Sequence, residues 1–349
     1  MRYLRRRSST GVGTVWFYLP DQAALHGRDP ERLDIDRDWQ VFGTGLYVWV
    51  LQTFLRLRAM GAPVRLTGRA PESGIVVTHA DYVERLLAET PRALDVTIVS
   101  ARSDRPKQIY ADVEIVQNVS SVEDFQVFIP SWPQPNLIAR RPERGLVVEN
   151  VVYIGADKQL HQDLKTDEWA RTLRDRGLQW ESRAISFTGN DNLYSGHRWN
   201  DYTAVDVIVA MRPPASRQNR SKPAAKLTNA WAAGVPAIVS PDDAYRELRR
   251  SSLDYLEATN AQEALDAILR LQSDPMLFKA MVDNGRERAR EFQSDRLAAR
   301  WETALWHTIP AMTDSVGARL AARIRGYRGV VRRVRSRLRA QERIFGFMG

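Results

Sequence analysis

The residues with the clearest capacity for chemistry lie in one stretch, SKPAAKLTNAWAAGVPAIVS, from Ser221 to Ser240. Lys222 and Lys226 stand four apart around a proline, ahead of small residues that end at Gly234. Pro223 has no amide hydrogen and suits the first position of a helix. This predicts Lys222 at the helix mouth and Lys226 one turn in on the same face. Unpaired amides at a helix start attract anions, and two ammonium groups beside them strengthen that attraction. Ala224 and Ala225 leave the backbone there uncrowded. Lysines at this end run against the helix dipole, where stability alone favours acids, and a bound diphosphate would account for them. A solvated charged face is the plainer alternative. The segment RPPASRQNR adds Arg212, Arg217 and Arg220 just upstream.

Such a site needs strands to carry it. The chain alternates short apolar runs with helical patterns, which predicts an α/β fold with parallel sheets. Residues 11–20 read as a first strand and 42–61 as a glycine-opened helix. PVRLT, GIVVTH, LDVTIVS and ADVEIVQN follow as short buried strands. The segment 128–145 holds four prolines and breaks the pattern, so it reads as the linker between two domains or as the floor of the cleft between them. A second series then begins. ENVVYIG is a strand, and the helix TDEWARTLRDRG has Thr166 as cap and Gly177 as stop. VDVIVAM and VPAIVS are strands on either side of the lysine helix, and three further helices run to about residue 308. The expected organisation is two doubly wound Rossmann-like domains facing a cleft, 1–145 and 146–312, followed by a tail, 313–349. In such sheets, ligands sit at the carboxyl ends of the strands.

The order VDVIVAM, SKPAAKLTNAWAAGVPAIVS, PDDAYREL resembles the carboxyl-terminal domain of the GT-B glycosyltransferases, in particular the group-1 (GT4-like) family, as a divergent subgroup. There a strand, a phosphate-binding loop and a helix ending in AAG-x-P are followed by a strand and a glutamate. The likeness covers about residues 146–310, and more loosely FGTGLYVWVLQTFLRLRAMGAPVRLT in the first half. It implies a sugar transferase using a nucleotide-diphosphate sugar, with no bound metal. Lys222, Lys226, Arg212 and the amides around Ala224 and Ala225 would hold the diphosphate, and Asn229 and Glu247 the ribose and sugar hydroxyls. Gly43 and Gly45 match the family's glycine loop, which approaches donor and acceptor from the first domain. The family's paired glutamates are replaced by Ser221 and Asn229, and the glycines before the later glutamate by Asp243 and Ala244. The final helices of the family often cross back to the first domain.

His79 closes the strand GIVVT and precedes Asp81, so either could touch an acceptor or act as a base; a structural histidine is the alternative reading. His26 is a weaker candidate, and Lys158 is either a phosphate contact or a surface lysine. The Asp-x-Asp spacing in DIDRD, residues 34–38, follows no clear strand and reads as a solvated charge run. No histidine and carboxylate cluster has metal-ligand spacing, and no Gly-x-Ser-x-Gly elbow points to a hydrolase.

The net charge of +9 is local. Residues 315–349 hold ten arginines and one glutamate, leaving 41 basic against 41 acidic residues elsewhere. The basicity therefore belongs to the tail, and nucleic-acid binding by the whole fold loses its support. Val316, Leu320, Ile324, Tyr327, Val331, Val334 and Leu338 recur at helical spacing. This basic amphipathic helix, 316–348, is expected to lie on an anionic membrane surface, or else to pack on protein. There are no cysteines, and no apolar run reaches the roughly 20 residues of a membrane span. A cytoplasmic protein peripheral to the membrane is expected, acting on a polysaccharide, glycolipid or other glycan acceptor. Two alternatives share the fold: a sugar-nucleotide epimerase, and a non-catalytic sugar-nucleotide or glycan binder.

Overall fold

A computed structural model describes residues 13–90, 95–185, 198–213 and 221–314. The tail stripe and Arg217 and Arg220 lie outside the described residues. The first unit carries β1 (Val15–Tyr18), β2 (Val64–Thr67), β3 (Gly74–His79), β4 (Val96–Ala101), β5 (Val113–Val116) and β6 (Gln126–Phe128), with α1 (Gln52–Ala59) and α2 (Val83–Glu89) between them. Its strand order is β2-β1-β3-β4-β5-β6, and every described pairing is parallel. The strands are short β-branched runs; all of β4 and β5 is buried, as strands covered on both faces should be.

After β6 the chain runs without a helix or ladder strand to residue 149, apart from one turn at Pro142–Arg144 and an isolated bridge from Ile138 to Asp201. This stretch, expected as a linker or as the floor of the cleft, lies along the second unit. The Arg140 amide donates to the Ala233 carbonyl, and the Arg140 guanidinium is buried on Asp206 at 2.8 and 3.0 Å.

The second unit contains β7 (Asn150–Ala156), α3 (Asp167–Arg174), β8 (Gln179–Ile185), β9 (Val207–Ala210), α4 (Ala225–Ala233), β10 (Ala237–Val239), α5 (Asp243–Arg246), β11 (Leu256–Glu257), α6 (Ala261–Ser273) and α7 (Pro275–Ala289). Its order is β11-β10-β9-β7-β8, again parallel throughout. The fold is thus the expected α/β class with two doubly wound parallel sheets. Thr166 caps α3 by accepting from the Trp169 amide at 3.1 Å, and Gly177 follows with φ 72°, the left-handed stop that glycine permits.

Three local differences bear on function. The helix expected over 42–61 opens with a π turn, Tyr47–Leu51, before α1. Pro223 does not start the lysine helix: Asn118 donates to the Lys222 carbonyl and Arg212 to the Pro223 carbonyl. Those contacts hold 221–224 as a turn, so α4 begins at Ala225. The chain end also belongs to the other unit. Helices α8 (Ser294–Thr303) and α9 (Ile309–Thr313), with the π turn Ala304–Thr308 between them, place Leu297, Trp301, Leu305 and Ile309 in the first unit's core with Phe17, Trp49 and Phe54. The crossing expected from the resemblance therefore starts near residue 293, and the second unit's own core ends there. Among the described residues, no helix is long and apolar enough to cross a membrane.

Candidate functional site

The loops that follow β4 and β5 meet the turn before α4 and the α5 region, so the carboxyl ends of both sheets share one cleft. Each sheet reverses its strand order once, between β1 and β3 and between β7 and β9, and a crevice opens there.

Lys226 lies at the second of these. Its side chain is half-buried, and its ammonium sits 5.6 Å from the centre of the Tyr153 ring. The stem passes so close to β7 that a Cβ on Gly155 would come 2.6 Å from Lys226 Cε and 2.8 Å from Tyr153 Oη. A side chain at 155 would therefore push the end of Lys226 or Tyr153 out of its present place. Burial first, then the charges of Arg212 and Lys222, push the Lys226 pKa down to about 7, with Asp242 opposing. The nearby acids are committed elsewhere: Asp242 pairs with Arg212 at 3.0 Å, and Asp104 pairs with Lys222. Among the described residues, no carboxylate forms an ion pair with Lys226.

Arg212 extends from the end of β9 and is 4% exposed. It donates to Asp242 and to the Pro223 carbonyl and lies over the Tyr245 ring, while its Nε has no partner among the described residues. No side chain caps α4, and its first turn holds no acid. The crevice thus combines uncovered helix amides, an uncompensated ammonium and a guanidinium with an unused donor. These are groups that attract an anion.

The other residues expected to touch a donor are brought to the same cleft but are engaged there. Lys222 forms an ion pair with Asp104 across the cleft, and this hydrogen bond and charge hold the Asp104 carboxyl below its usual range although burial opposes it. Asn229 accepts from the linker amide of Gln134 at 3.2 Å. Glu247 accepts from the amides of Val119 and Ser120 at 2.7 and 2.9 Å. Lys222 therefore does not stand at a helix mouth facing solvent, Glu247 ties the two units together, and Asn229 holds the linker. Lys158 is exposed. Ala224 and Ala225 are the cap and first residue of α4, where their small side chains leave the amides open.

On the first unit, His79 ends β3 and is 2% exposed. Its Nδ1 accepts from the Asp81 amide at 3.3 Å, so the ring proton sits on Nε2. That Nε2 has no partner among the described residues and lies against Gly45, where an added Cβ would come within 2.3 Å. Burial chiefly, with Arg105 adding to it and Asp81 and Asp104 opposing, lowers the His79 pKa to about 4. At neutral pH the ring is uncharged, and its one open nitrogen is a donor. Asp81 Oδ2 also lies 3.4 Å from Nδ1, and Nε2 is available as a base in the tautomer whose proton sits on Nδ1. Asp81 is held by Arg105 through three contacts of 2.8–3.0 Å. Arg105 also approaches Asp104 at 3.7 Å, so a line of charges runs from Asp81 to Lys222. Gly43 sits two residues before Gly45 in the turn that opens the π segment, half-buried.

Sequence reasoning passed over Tyr153, Gly155, Asp104, Arg105 and Asp242. Tyr153 and Gly155 were findable, because they end a strand that a doubly wound reading already places at the crevice. Arg105 and Asp242 act through pairs inside their own units, with Asp81 and Arg212, and Asp104 through Lys222 of the other unit.

No protein-family model and no curated protein matches the chain. Among solved structures it is similar to the Anabaena protein HepE in complex with UDP, at 12% identity and a TM-score of 0.47, over 84% of this chain and 99% of that one. It is also similar to a sucrose-phosphate synthase from Thermosynechococcus elongatus, at 16% identity, a TM-score of 0.44 and 80% of each chain. The chain spans 54% of the length of TarM, at 10% identity and a TM-score of 0.45 over 67% of its own length. Likenesses this remote assign no residue a role.

Proposed function

We propose that the protein is a glycosyltransferase of GT-B type that moves a sugar from a nucleotide-diphosphate sugar to a glycan or lipid-linked acceptor. The observation that carries this reading is the uncompensated Lys226 ammonium beside the open amides of α4, at the switch point of the second sheet. The diphosphate would lie there, with Arg212 as a second cation. Lys222 becomes a third if the phosphates displace Asp104. Charge grows on the leaving diphosphate as the glycosidic bond breaks, and fixed cations and amides stabilise it in the transition state without any need for a bound metal. The acceptor would approach from the first unit near Gly43, Gly45 and His79, whose Nε2–H suits a hydrogen bond to an acceptor oxygen. Asp81 is then the remaining carboxylate for proton removal, once Arg105 releases it.

The tail supports a place at the inner face of a membrane, through residues 316–348. Cosedimentation with anionic vesicles, with and without residues 315–349, tests this part separately.

A second reading is binding without turnover. It is favoured by Ser221 and Asn229, which stand where the resemblance implies carboxylates. A calorimetric screen against UDP, GDP, dTDP and CDP and their sugars, on wild type and Lys226→Ala, tests the donor site. One diphosphate should bind, and the substitution should weaken it by tenfold or more, the size expected for a charge-assisted contact. If none binds at millimolar concentration, the donor site is refuted. Release of the bare diphosphate from its sugar in the presence of glycan acceptors, with EDTA added, separates transfer from binding alone.

A further inference from the structure

Asp206 and Asp254 show how this chain seats an aspartate for structure. Asp206 accepts from Arg140, Arg144 and the amides of Glu149 and Asn150. Asp254 accepts from Arg288, Asn284 and the amides of Arg250 and Ser251. Both carboxylates are fully buried, and seats with this many donors hold one arrangement. Asp104 is held differently. One of its oxygens pairs with Lys222 across the cleft, and the other has Arg105 Nη1 at 3.7 Å. The pair is open to an incoming anion, with 17% of the Lys222 side chain and 31% of the Asp104 side chain exposed. Ser103, just before it, has φ 53°, a left-handed conformation that a side chain disfavours. The turn that presents Asp104 to Lys222 is therefore not the backbone's own preference.

Lys222 is fixed independently, because Asn118 donates to its carbonyl. The Asp104 side chain can leave without moving the lysine. Lys222 is also close enough to Lys226 to depress its pKa, so an anion at Lys226 reaches a lysine that a carboxylate already occupies. The next cation for a displaced Asp104 is Arg105, which holds Asp81 through three contacts of 2.8–3.0 Å. Two competitions are thereby joined: a phosphate and Asp104 for Lys222, then Asp104 and Asp81 for Arg105. A change of partner at one end alters the charge available at the other.

We propose that Asp104 is a resident stand-in for the donor's phosphate, and that its transfer from Lys222 to Arg105 draws the guanidinium away from Asp81. A donor held by the second unit would thus unmask the carboxylate of the first, beside His79. This rests on the donor-site reading above and deepens it. Asp104 and Arg105 act through their partners and are positioning residues.

Calorimetry with UDP, GDP, dTDP and CDP finds the diphosphate that wild type binds. The same titration on Asp81→Asn, Arg105→Gln and Asp104→Asn, each in the full chain, reads the relay from its far end. Asp81→Asn leaves Arg105 free to receive Asp104, so binding should tighten about two- to fivefold; Arg105→Gln removes that alternative partner, so binding should weaken by about as much. Long-range charge alone gives the same two signs, but it would act equally in the Asp104→Asn background. The relay requires both effects to vanish there, and the double variants decide. Labelling of carboxylates with a water-soluble carbodiimide and glycine ethyl ester, read by mass spectrometry, follows Asp81 directly. Saturating diphosphate should raise Asp81 labelling in wild type and leave it unchanged in Asp104→Asn. Effects that persist in the Asp104→Asn background would overturn the proposal, as would Asp81 labelling that does not respond in wild type. Either result with diphosphate still bound leaves the donor site standing and removes the relay alone. If no diphosphate binds wild type, the donor site falls, and the relay with it. Asp81 and Arg105 are half-exposed, so melting temperatures should match wild type; should a variant melt early, the labelling of wild type decides.

Discussion

Lys226→Met should make the protein more stable while abolishing its response to anions. The lysine pKa falls from 10.5 to about 7. At neutral pH the unfolded chain keeps the proton, and the folded chain holds only about half of it. A gap of about 3.5 pH units works out at roughly 4–5 kcal/mol against the folded state. Methionine keeps the apolar stem over Gly155 and Tyr153 and removes the charge. It also forgoes the ammonium–ring contact with Tyr153, worth about 0.5–2 kcal/mol. A net gain of roughly 2–4 kcal/mol at pH 7 is therefore expected. The sign with pH follows from proton counts. Between pH 7 and 10.5 the unfolded chain binds more protons, so wild-type stability rises with pH across that window. The variant lacks this rise, and its advantage should shrink by about half near pH 9. Urea denaturation followed by tryptophan fluorescence, at both pH values, measures the difference. A thermal-shift titration with the preferred diphosphate, run in parallel, should raise the melting temperature of wild type only. A variant less stable than wild type at pH 7, or one with the same pH slope, would refute the uncompensated ammonium and the anion site built on it.

Other outcomes follow from the same cleft. Gly45→Ala puts a methyl group 2.3 Å from His79 Nε2, and the resulting overpacking should cost about 1–3 kcal/mol in urea denaturation; an unchanged midpoint would mean the imidazole moves freely. Asp104→Asn frees Lys222 from its partner. Because that pair is partly exposed, diphosphate affinity should rise only about two- to fivefold, and the gain should fade in high salt; calorimetry at two salt concentrations checks it. The His79 pKa is lowered to about 4, so below pH 6.5 the unfolded chain takes up a proton that the folded chain refuses. Stability should fall by roughly 2 kcal/mol between pH 6.5 and 5 for this reason, and His79→Gln should lose that part of the slope.

Much of the architecture is legible in the chain because it depends on local pattern. Short β-branched runs between helical periods place the strands of both sheets, and Thr166 and Gly177 bound α3 by their own chemistry. The proline-rich break marks the linker for the same reason: proline cannot continue a ladder or a helix. Three strands, β6, β8 and the two-residue β11, carry weaker patterns. β8 is mostly exposed on one edge, so its polar sequence QWESRAI does not look like a buried strand. The start of α4 was misplaced because Pro223 is a good first helical residue only if its neighbours' carbonyls are free. Asn118 and Arg212, distant in sequence, occupy them.

The candidate site divides along the same line. Lys226 and Arg212 could be named from sequence because the strand-turn-helix order brings them to one crevice whatever the rest of the chain does. What each charge holds is a different matter, because pairing depends on every group within a few ångströms. Lys222 and Lys226 look equivalent in sequence, yet the tertiary structure gives Lys222 a carboxylate from the other unit and leaves Lys226 with none. Asn229 and Glu247 likewise have side chains suited to a sugar, and the packing of the two units turns them toward backbone amides instead. Composition and periodicity thus determine which elements form and which residues lie at strand ends. The balance of charge and hydrogen bonds in the cleft was decided by how the two sheets meet, since electrostatic and desolvation energies belong to the assembled neighbourhood and not to any one residue.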